Sequence, residues 1–363
     1  MKQIFINARF LTQPVTGVQR YAVEFVKSLD KLIDSGVIDA AQYSFVMLAP
    51  REIKYALDLK HIPLSCTGFL KGHPWEQLEL PFYSKGGLLV SLCNAGPLIK
   101  CRQTVTIHDA AVFGFPRAYS LAFRAWYKVL LTGLGRVGKK IFTDSLFSKE
   151  ELVRYCHINE NKIQVVPLGK EHIFASRQNY AILQKHNLTN RKYVIAVSSM
   201  SPNKNFHSII RAIELLGDSE YDIVIAGGVN PKVFSRSPAP FPESVKHVGY
   251  VSDGELRALY EHAACFVYPS FYEGFGLPPL EAMACGCPVI VSNTASLPEV
   301  CGDAVLYCDP DNPEDIADKI KQLMNDEALR ETLRQKGLAR ASLFTWEKCT
   351  RDTFEEIKEI LKF

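Results

Sequence analysis

The chain reads as an α/β protein of two doubly wound parallel-sheet domains, and three observations predict it. Short β-branched runs alternate with helix-period stretches along the whole sequence. A length of 363 residues exceeds one ordinary core and suits two domains of roughly 170 residues. A polar stretch, 170–191, divides the alternation into two series. In the first series strands are expected at 4–7, 44–48, 88–92, 105–108 and 140–143, with Val165-Val166 ending the last one before Gly169. In the second they are expected at 193–198, 222–226, 264–268 and 289–292. The domains are therefore placed at 1–169 and 170–345, with a last helix at 346–363. Open parallel sheets bind ligands beyond the carboxyl ends of their strands, so two such domains facing across a cleft would put their sites on one crevice.

Bulk composition narrows the class. With 47% hydrophobic and 22% charged residues, the chain is ordinary globular material without disordered tracts. The ten cysteines show no paired spacing with a second Cys or His pair, so they read as buried small residues rather than a zinc site. Met1 leads straight into the strand-like Gln3-Ile4-Phe5-Ile6-Asn7, and no run of 18 apolar residues occurs, so no signal peptide or spanning helix is expected. The expectation is a cytoplasmic protein. Residues 1–169 hold 21 Lys/Arg against 13 Asp/Glu, while 170–363 hold 21 against 26. That asymmetry points the first domain towards an anionic partner, a membrane surface or a phosphorylated acceptor, and the excess is too small for nucleic acid.

The most informative stretch is Tyr268-Pro-Ser-Phe-Tyr-Glu273-Gly-Phe-Gly-Leu-Pro-Pro-Leu-Glu281-Ala-Met-Ala-Cys-Gly286-Cys-Pro288, which follows a strand and opens a helix. Gly274 and Gly276 allow backbone N–H groups to approach a ligand, and Pro278-Pro279 suits a first helical turn whose positive end faces an anion. Glu273 before the loop and Glu281 in the first turn would flank that anion with carboxylates able to accept hydrogen bonds from sugar hydroxyls. Taken singly, Glu281 could be a helix-dipole acid, worth about 0.3–1 kcal/mol, and Glu273 a solvated loop acid. The Gly-Phe-Gly-Leu-Pro loop between them favours the joint reading. Gly286 with Pro288 supplies the helix stop.

Two glutamates separated by seven residues around such a loop resemble the retaining GT-B glycosyltransferases of glycosyltransferase family 4, and the likeness extends from Tyr193 to Leu306 and more loosely over nearly the whole chain. The resemblance implies two Rossmann-like domains, the second binding a nucleotide-sugar donor and the first on the acceptor side. It implies that Glu281 holds the ribose hydroxyls, that Glu273 holds a hydroxyl of the donor sugar, and that the amides of Gly274, Phe275, Gly276 and Leu277 meet the sugar and diphosphate. Retention of anomeric configuration comes from the resemblance alone.

Other stretches fit the same chemistry. In Ser198-Ser199-Met200-Ser201-Pro202-Asn203-Lys204-Asn205, Lys204 can neutralise a leaving diphosphate, where charge grows in the transition state. Many members of the resembled family place an Arg near Ser199, and its absence leaves the charge to Lys204, the loop amides or another Arg. Thr104-Val105-Thr106-Ile107-His108-Asp109 ends a strand; the family likeness gives His108 a contact with the donor sugar, and Asp109 reads as orienting His108 or a loop. Thr16-Gly17-Val18-Gln19-Arg20-Tyr21 resembles the family's first-domain loop facing diphosphate and acceptor, which makes Gly17 a donor-side and Arg20 an acceptor-side candidate. Gly249-Tyr250-Val251 corresponds to a turn that meets the base through its backbone. Ser252 with Glu255 and Ser296 with Glu299 both read as capping boxes.

Asp309-Pro310-Asp311 has the spacing of a metal-binding pair, but Asn312 before Pro313-Glu314-Asp315 reads as an N-cap with dipole-compensating acids. No essential metal and no cofactor beyond the nucleotide-sugar co-substrate are expected. The stretch 117–140 interleaves Phe123, Trp126, Tyr127, Leu130 and Leu131 with Arg117, Arg124, Lys128, Arg136, Lys139 and Lys140. It is either a packed helix with a solvated basic face or a peripheral contact with the anionic inner face of a membrane. Phe344-Thr345-Trp346 and the run to Leu361-Lys362-Phe363 resemble a closing helix that crosses back onto the first domain. The patterns at 16–21, at Leu92-Cys-Asn94-Ala-Gly-Pro97 and at His108-Asp109 together resemble polysaccharide mannosyl- and rhamnosyltransferases. They imply transfer of a hexose, with a GDP-mannose-type donor, onto a growing glycan or lipid-linked oligosaccharide; UDP- and dTDP-sugars stay open. Two alternatives stand beside this reading, a nucleotide-sugar epimerase of similar architecture and an inert nucleotide-sugar binding module. A dehydrogenase is disfavoured because no Gly-x-Gly-x-x-Gly follows the first strand.

Overall fold

Parallel strands buried on both faces read as continuous apolar runs, and that is how Leu88–Ser91 and Val289–Ser292 are built, with every residue buried. The computed structural model describes residues 1–197, 201–217, 221–227 and 245–362. Among them the first sheet comprises β1 (Lys2–Asn7), β2 (Tyr43–Ala49), β3 (Leu64–Cys66), β4 (Leu88–Ser91), β5 (Gln103–Thr106), β6 (Lys140–Thr143) and β7 (Ile163–Val165), in the order β3-β2-β1-β4-β5-β6-β7. The second comprises β8 (Tyr193–Val197), β9 (Asp222–Ala226), β10 (Val245–Gly249), β11 (Cys265–Tyr268), β12 (Val289–Ser292) and β13 (Leu306–Cys308), in the order β10-β9-β8-β11-β12-β13. Every pairing is parallel. Strand order reverses between β1 and β4 and between β8 and β11, so the ligand crevices of the two sheets are expected outside the carboxyl ends of those pairs.

The chain divides into two units, 1–169 with 345–363, and 170–344. In the second, Ile209 and Ile213 of the helix Phe206–Leu216 and Ile316 and Ile320 of the helix Pro313–Asn325 bury against Val194, Ile223 and Ile225. In the first, the helix Trp346–Leu361 lies against Gly17–Asp34, where Ser28 Oγ donates to the Trp346 carbonyl at 3.2 Å. Tyr43 and Phe354 meet edge to face at 5.1 Å, and Lys140 pairs with Glu356 at 2.8 Å. Gly169 makes this possible, because any Cβ there would collide with the backbone of Thr345 and Trp346.

Two expectations need adjustment, and two strands were not anticipated. β5 stops at Thr106, so His108 and Asp109 lie beyond the strand rather than in it. The three-residue strands β3 and β13 are too short to show an alternation. The helix within 117–140 is Leu121–Val137; it buries Leu130, Leu131 and Leu134 and leaves Leu121 and Val129 exposed. Among the described residues no helix is long and apolar enough to cross a membrane.

Candidate active site

Glu273 sits in the loop after β11 as a buried carboxylate, and burial of such a charge is tolerable only when it is fully paired. Its Oε1 accepts from the Ser270 hydroxyl at 2.6 Å and the Tyr268 hydroxyl at 2.9 Å, and Lys204 Nζ lies 2.7 Å from both Oε1 and Oε2. Lys204 also donates to the Tyr268 hydroxyl at 2.9 Å, which engages all three of its N–H directions. Burial, and then the adjacent Glu273 charge, push the Tyr268 phenol well above its ordinary range, so it stays a neutral donor.

Two asparagines, which sequence reasoning passed over, hold Lys204 in place. Asn203 Nδ2 donates to the Tyr272 carbonyl at 3.0 Å, and Phe271 N returns a bond to the Asn203 carbonyl at 2.8 Å. Asn205, left-handed at φ 54°, donates to the Pro269 and Pro310 carbonyls at 3.0 and 2.7 Å. The Pro-Asn-Lys-Asn turn is thus stapled to the loop that carries Glu273.

The loop continues through Gly274 and Phe275 to Gly276, whose φ of 102° is open to glycine and strained for other residues. The Phe275 ring is buried edge to face against Phe344 at 5.8 Å, which leaves its backbone as the part that can meet a ligand. Gly276 is the N-cap of the helix Leu277–Ala284. Pro278 and Pro279 carry no N–H, so the donors at this helix start come from Leu277 and the loop before it. Glu281 is the fifth helical residue and not part of the first turn, which corrects its placement and removes the helix-dipole explanation. What holds it is His172, unrecognised in the sequence: Nε2 lies 2.7 Å from Glu281 Oε1, and both residues are buried. Gly286, at φ 71°, follows the helix end as expected.

Ser199 lies outside the described residues. Tyr250 is 84% exposed beside Gly249, with Val251 half-buried. Ser252 and Glu255 form the reciprocal capping box. Ser296 does not: its buried hydroxyl donates to the Glu273 carbonyl at 3.0 Å and leaves the helix Leu297–Cys301 without a side-chain cap. That fixes the Glu273 backbone from beneath. Asn312 caps its helix through Asp315 N at 3.1 Å, while Asp309 accepts from Asp311 N at 2.9 Å. Asp311 is exposed, and Asp311→Ala is expected to leave transfer within about twofold of wild type in a steady-state assay, as surface substitutions do.

In the first unit, His108 is buried with both ring nitrogens engaged, Nδ1 2.7 Å from Asp144 Oδ2 and Nε2 3.0 Å from the Leu92 carbonyl. Burial lowers its pKa, but the Asp144 charge and hydrogen bond, with the Leu92 carbonyl, outweigh it and set the net shift upward. The orienting acid is therefore Asp144 at the end of β6, which the sequence did not single out. Asp109 instead accepts from Ala111 N at 2.8 Å and shapes the following turn. The His108 backbone N–H donates to Asn94 Oδ1 at 2.7 Å, tying the loops after β4 and β5 together. Gly17 is the first residue of its helix, capped by Thr16 and Gln19, and a Cβ there would meet nothing within 4 Å. Arg20 lies 3.9 Å from Glu24. At the end of β1, buried Arg9 pairs with buried Glu76 at 3.0 Å, and Glu76 also accepts from Asn7 Nδ2 at 2.7 Å.

The family model for Glycosyl transferases group 1 matches residues 179–340. The chain is 32% identical to O-antigen chain mannosyltransferase B of Escherichia coli, an alignment covering 99% of this chain and 100% of that one. It is 29% identical to O-antigen chain mannosyltransferase RfbU of Salmonella typhimurium over 88% of this chain and 90% of the relative. Among solved structures, sucrose-phosphate synthase from Thermosynechococcus elongatus superposes with a TM-score of 0.76 over 100% of both chains at 17% identity, a likeness of fold. The alternatives of an epimerase or an inert binding module find no support in these relatives. With its two Rossmann-like units of GT-B type and a full-length relative above 30% identity, the chain belongs to the group 1 glycosyltransferases.

Proposed function

We propose that this glycosyltransferase is a retaining, metal-independent member of family 4 that moves mannose from GDP-mannose onto a growing glycan or lipid-linked oligosaccharide in O-antigen-type polysaccharide synthesis. It would work in the cytoplasm at the inner face of the membrane, with the basic helix in 117–140 as its peripheral contact. The mannosyl assignment rests on the names of the two O-antigen relatives. The observation that carries the chemistry is Glu273, locked by Lys204, Tyr268 and Ser270 directly before a Gly-Phe-Gly loop whose amides are suited to a diphosphate.

In this reading the bond between the sugar's anomeric carbon and the diphosphate breaks with its electron pair on the leaving phosphate. The acceptor hydroxyl attacks the same face and gives its proton to that phosphate. On donor binding, Lys204 exchanges a Glu273 oxygen for the diphosphate, which frees that oxygen for a hydroxyl of the donor sugar. Charge growing on the leaving group is met by Lys204 and the amides of Gly274 to Leu277, so the transition state gains more than the ground state. Glu281 takes the ribose hydroxyls on its free oxygen while His172 holds the other, with Ser199, Tyr250 and Val251 beside the nucleotide. His108 enters by trading the Leu92 carbonyl at Nε2 for a sugar hydroxyl; Gly17 faces the diphosphate, and Arg20 and Asp109 serve the acceptor.

The test is a thermal-shift series of GDP, UDP, dTDP and ADP, each with and without EDTA. GDP at 100 times its Kd is expected to add about 2.7 kcal/mol of stability regardless of EDTA, and Glu281→Ala is expected to abolish that gain. A shift from GDP that requires a divalent cation would overturn the metal-free reading, and a shift from UDP alone would replace the donor.

A further inference from the structure

The chain passes from one unit to the other twice, between Gly169 and Lys170 and between Phe344 and Thr345. The two passes lie side by side at Gly169, where a Cβ would collide with the Trp346 backbone nitrogen and the Thr345 carbonyl carbon. Each pass leads within three residues to a group that holds the donor site.

On the first pass, His172 lies 2.7 Å from Glu281 Oε1 with its ring buried. The short turn that carries it, Glu171–Phe174, is fixed at its far end by buried Ile173 and by Phe174, whose ring the Arg257 guanidinium covers at 4.7 Å. Its near end is the crossing.

On the second pass, the Phe344 ring meets Phe275 edge to face at 5.8 Å. The Arg340 guanidinium lies 5.3 Å from the centroid of the same ring. Arg340 in turn donates to the Val300 and Glu299 carbonyls at 2.9 and 2.6 Å, at the end of the helix Leu297–Cys301. That helix carries Leu297, which a Cβ on Gly276 would strike at 2.6 Å, and it follows Ser296, whose hydroxyl holds the Glu273 carbonyl. Phe344 thus supports Phe275 directly, and it supports Gly276 and Glu273 through Arg340 and the helix. An edge-to-face ring pair and a short hydrogen bond are both directional, and a close-packed interior has no slack to absorb a shift. A change in the path of the chain at Gly169 therefore reaches both Glu281 and the Gly274–Gly276 loop.

We infer that His172 and Phe344 are positioning residues for the donor site, and that the packing of the two passes at Gly169 sets nucleotide affinity through them. The inference rests on the donor reading for its ligand, but one arm of its test needs no ligand.

That arm is hydrogen–deuterium exchange on the full chain without nucleotide. Gly169→Ala forces the passes apart and is expected to speed exchange about tenfold in peptides spanning 273–284, with β4 and β12 at wild-type rates. Phe344→Leu keeps the apolar bulk and removes the ring edge, and it should give the same pattern if Gly169→Ala does not fold. Acceleration confined to the crossing, or spread equally over β4 and β12, overturns the inference. The second arm is titration with GDP, in which His172→Ala and Phe344→Leu should each weaken binding about tenfold. His172→Gln, whose amide can still donate to Glu281, should recover most of that loss. His172→Ala should also raise the donor KM about tenfold with kcat unchanged, as loss of ground-state binding does. In a protein carrying both His172→Ala and Phe344→Leu, Gly169→Ala should weaken binding little further. An undiminished effect of Gly169→Ala in that background, or wild-type affinity in both single variants, overturns the inference as well. If the wild type binds no nucleotide, the donor reading fails, and the exchange arm still decides whether the crossing controls the loop.

Discussion

Glu273→Gln is expected to lower turnover by about 10²–10³-fold while changing the donor KM little, the size of effect seen when one preorganised electrostatic partner is removed from a transition state. The amide keeps the shape of the side chain and can still accept from Ser270 and Tyr268, which donate at 2.6 and 2.9 Å. It cannot match the Lys204 ammonium, which spans both carboxylate oxygens at 2.7 Å. Without its counter-charge Lys204 is no longer held at the carboxylate, and the proposed exchange with the leaving diphosphate would lose its starting position. Lys204→Met should show the same signature, because the two side chains act as one unit, and the double variant should fall little further than either single one. Steady-state kinetics with saturating acceptor separate the cases. A raised donor KM with unchanged kcat would make Glu273 a ground-state binding residue and remove it from the mechanism.

How much of this could be read beforehand depends on how far apart the partners lie in the chain. The parallel sheets were legible because buried strands such as Leu88–Ser91 and Val289–Ser292 are short apolar runs between helix-period stretches. The Glu273–Glu281 loop was legible because glycine and proline have positional meaning within a few residues. His172 was not, since it meets Glu281 across 109 residues and nothing near it in sequence marks it. Asp144 was overlooked for the same reason: the order of β5 and β6 in the sheet brings it to His108, whereas Asp109 is merely adjacent in the chain. The Ser296 misreading has a different cause. A Ser-x-x-Glu spacing favours a capping box, but a fully buried hydroxyl needs a strong acceptor, and the Glu273 carbonyl lies within reach.

Asp144→Asn is expected to destabilise the protein by about 1–3 kcal/mol at pH 6, with a deficit that shrinks as pH rises, because the pair it breaks is linked to a proton. Leu92 accepts from Nε2 of His108 and Asp144 shares a proton with Nδ1, so the folded state holds both ring-region protons. The imidazole pKa is raised in the folded protein: burial pulls it down, and Asp144 and Leu92 more than restore it. A group whose folded pKa exceeds its unfolded value, near 6.5 for histidine, contributes its full stabilisation below the unfolded value and loses it as pH climbs through the folded one. The wild type should thus lose melting temperature relative to the variant as pH rises above about 6.5, and the two curves should converge at the alkaline end. In the variant the amide can still accept from Nδ1, but the buried imidazole no longer has a charge beside it to keep its second proton. Turnover should fall as well, since His108 holds the loops after β4 and β5 together through Asn94. Melting curves of both proteins at half-unit intervals from pH 5.5 to 9 decide the matter. A deficit of the same size at every pH would show that Asp144 fills space and hydrogen-bonds without retaining a proton, and the upward shift of His108 would then have no energetic consequence.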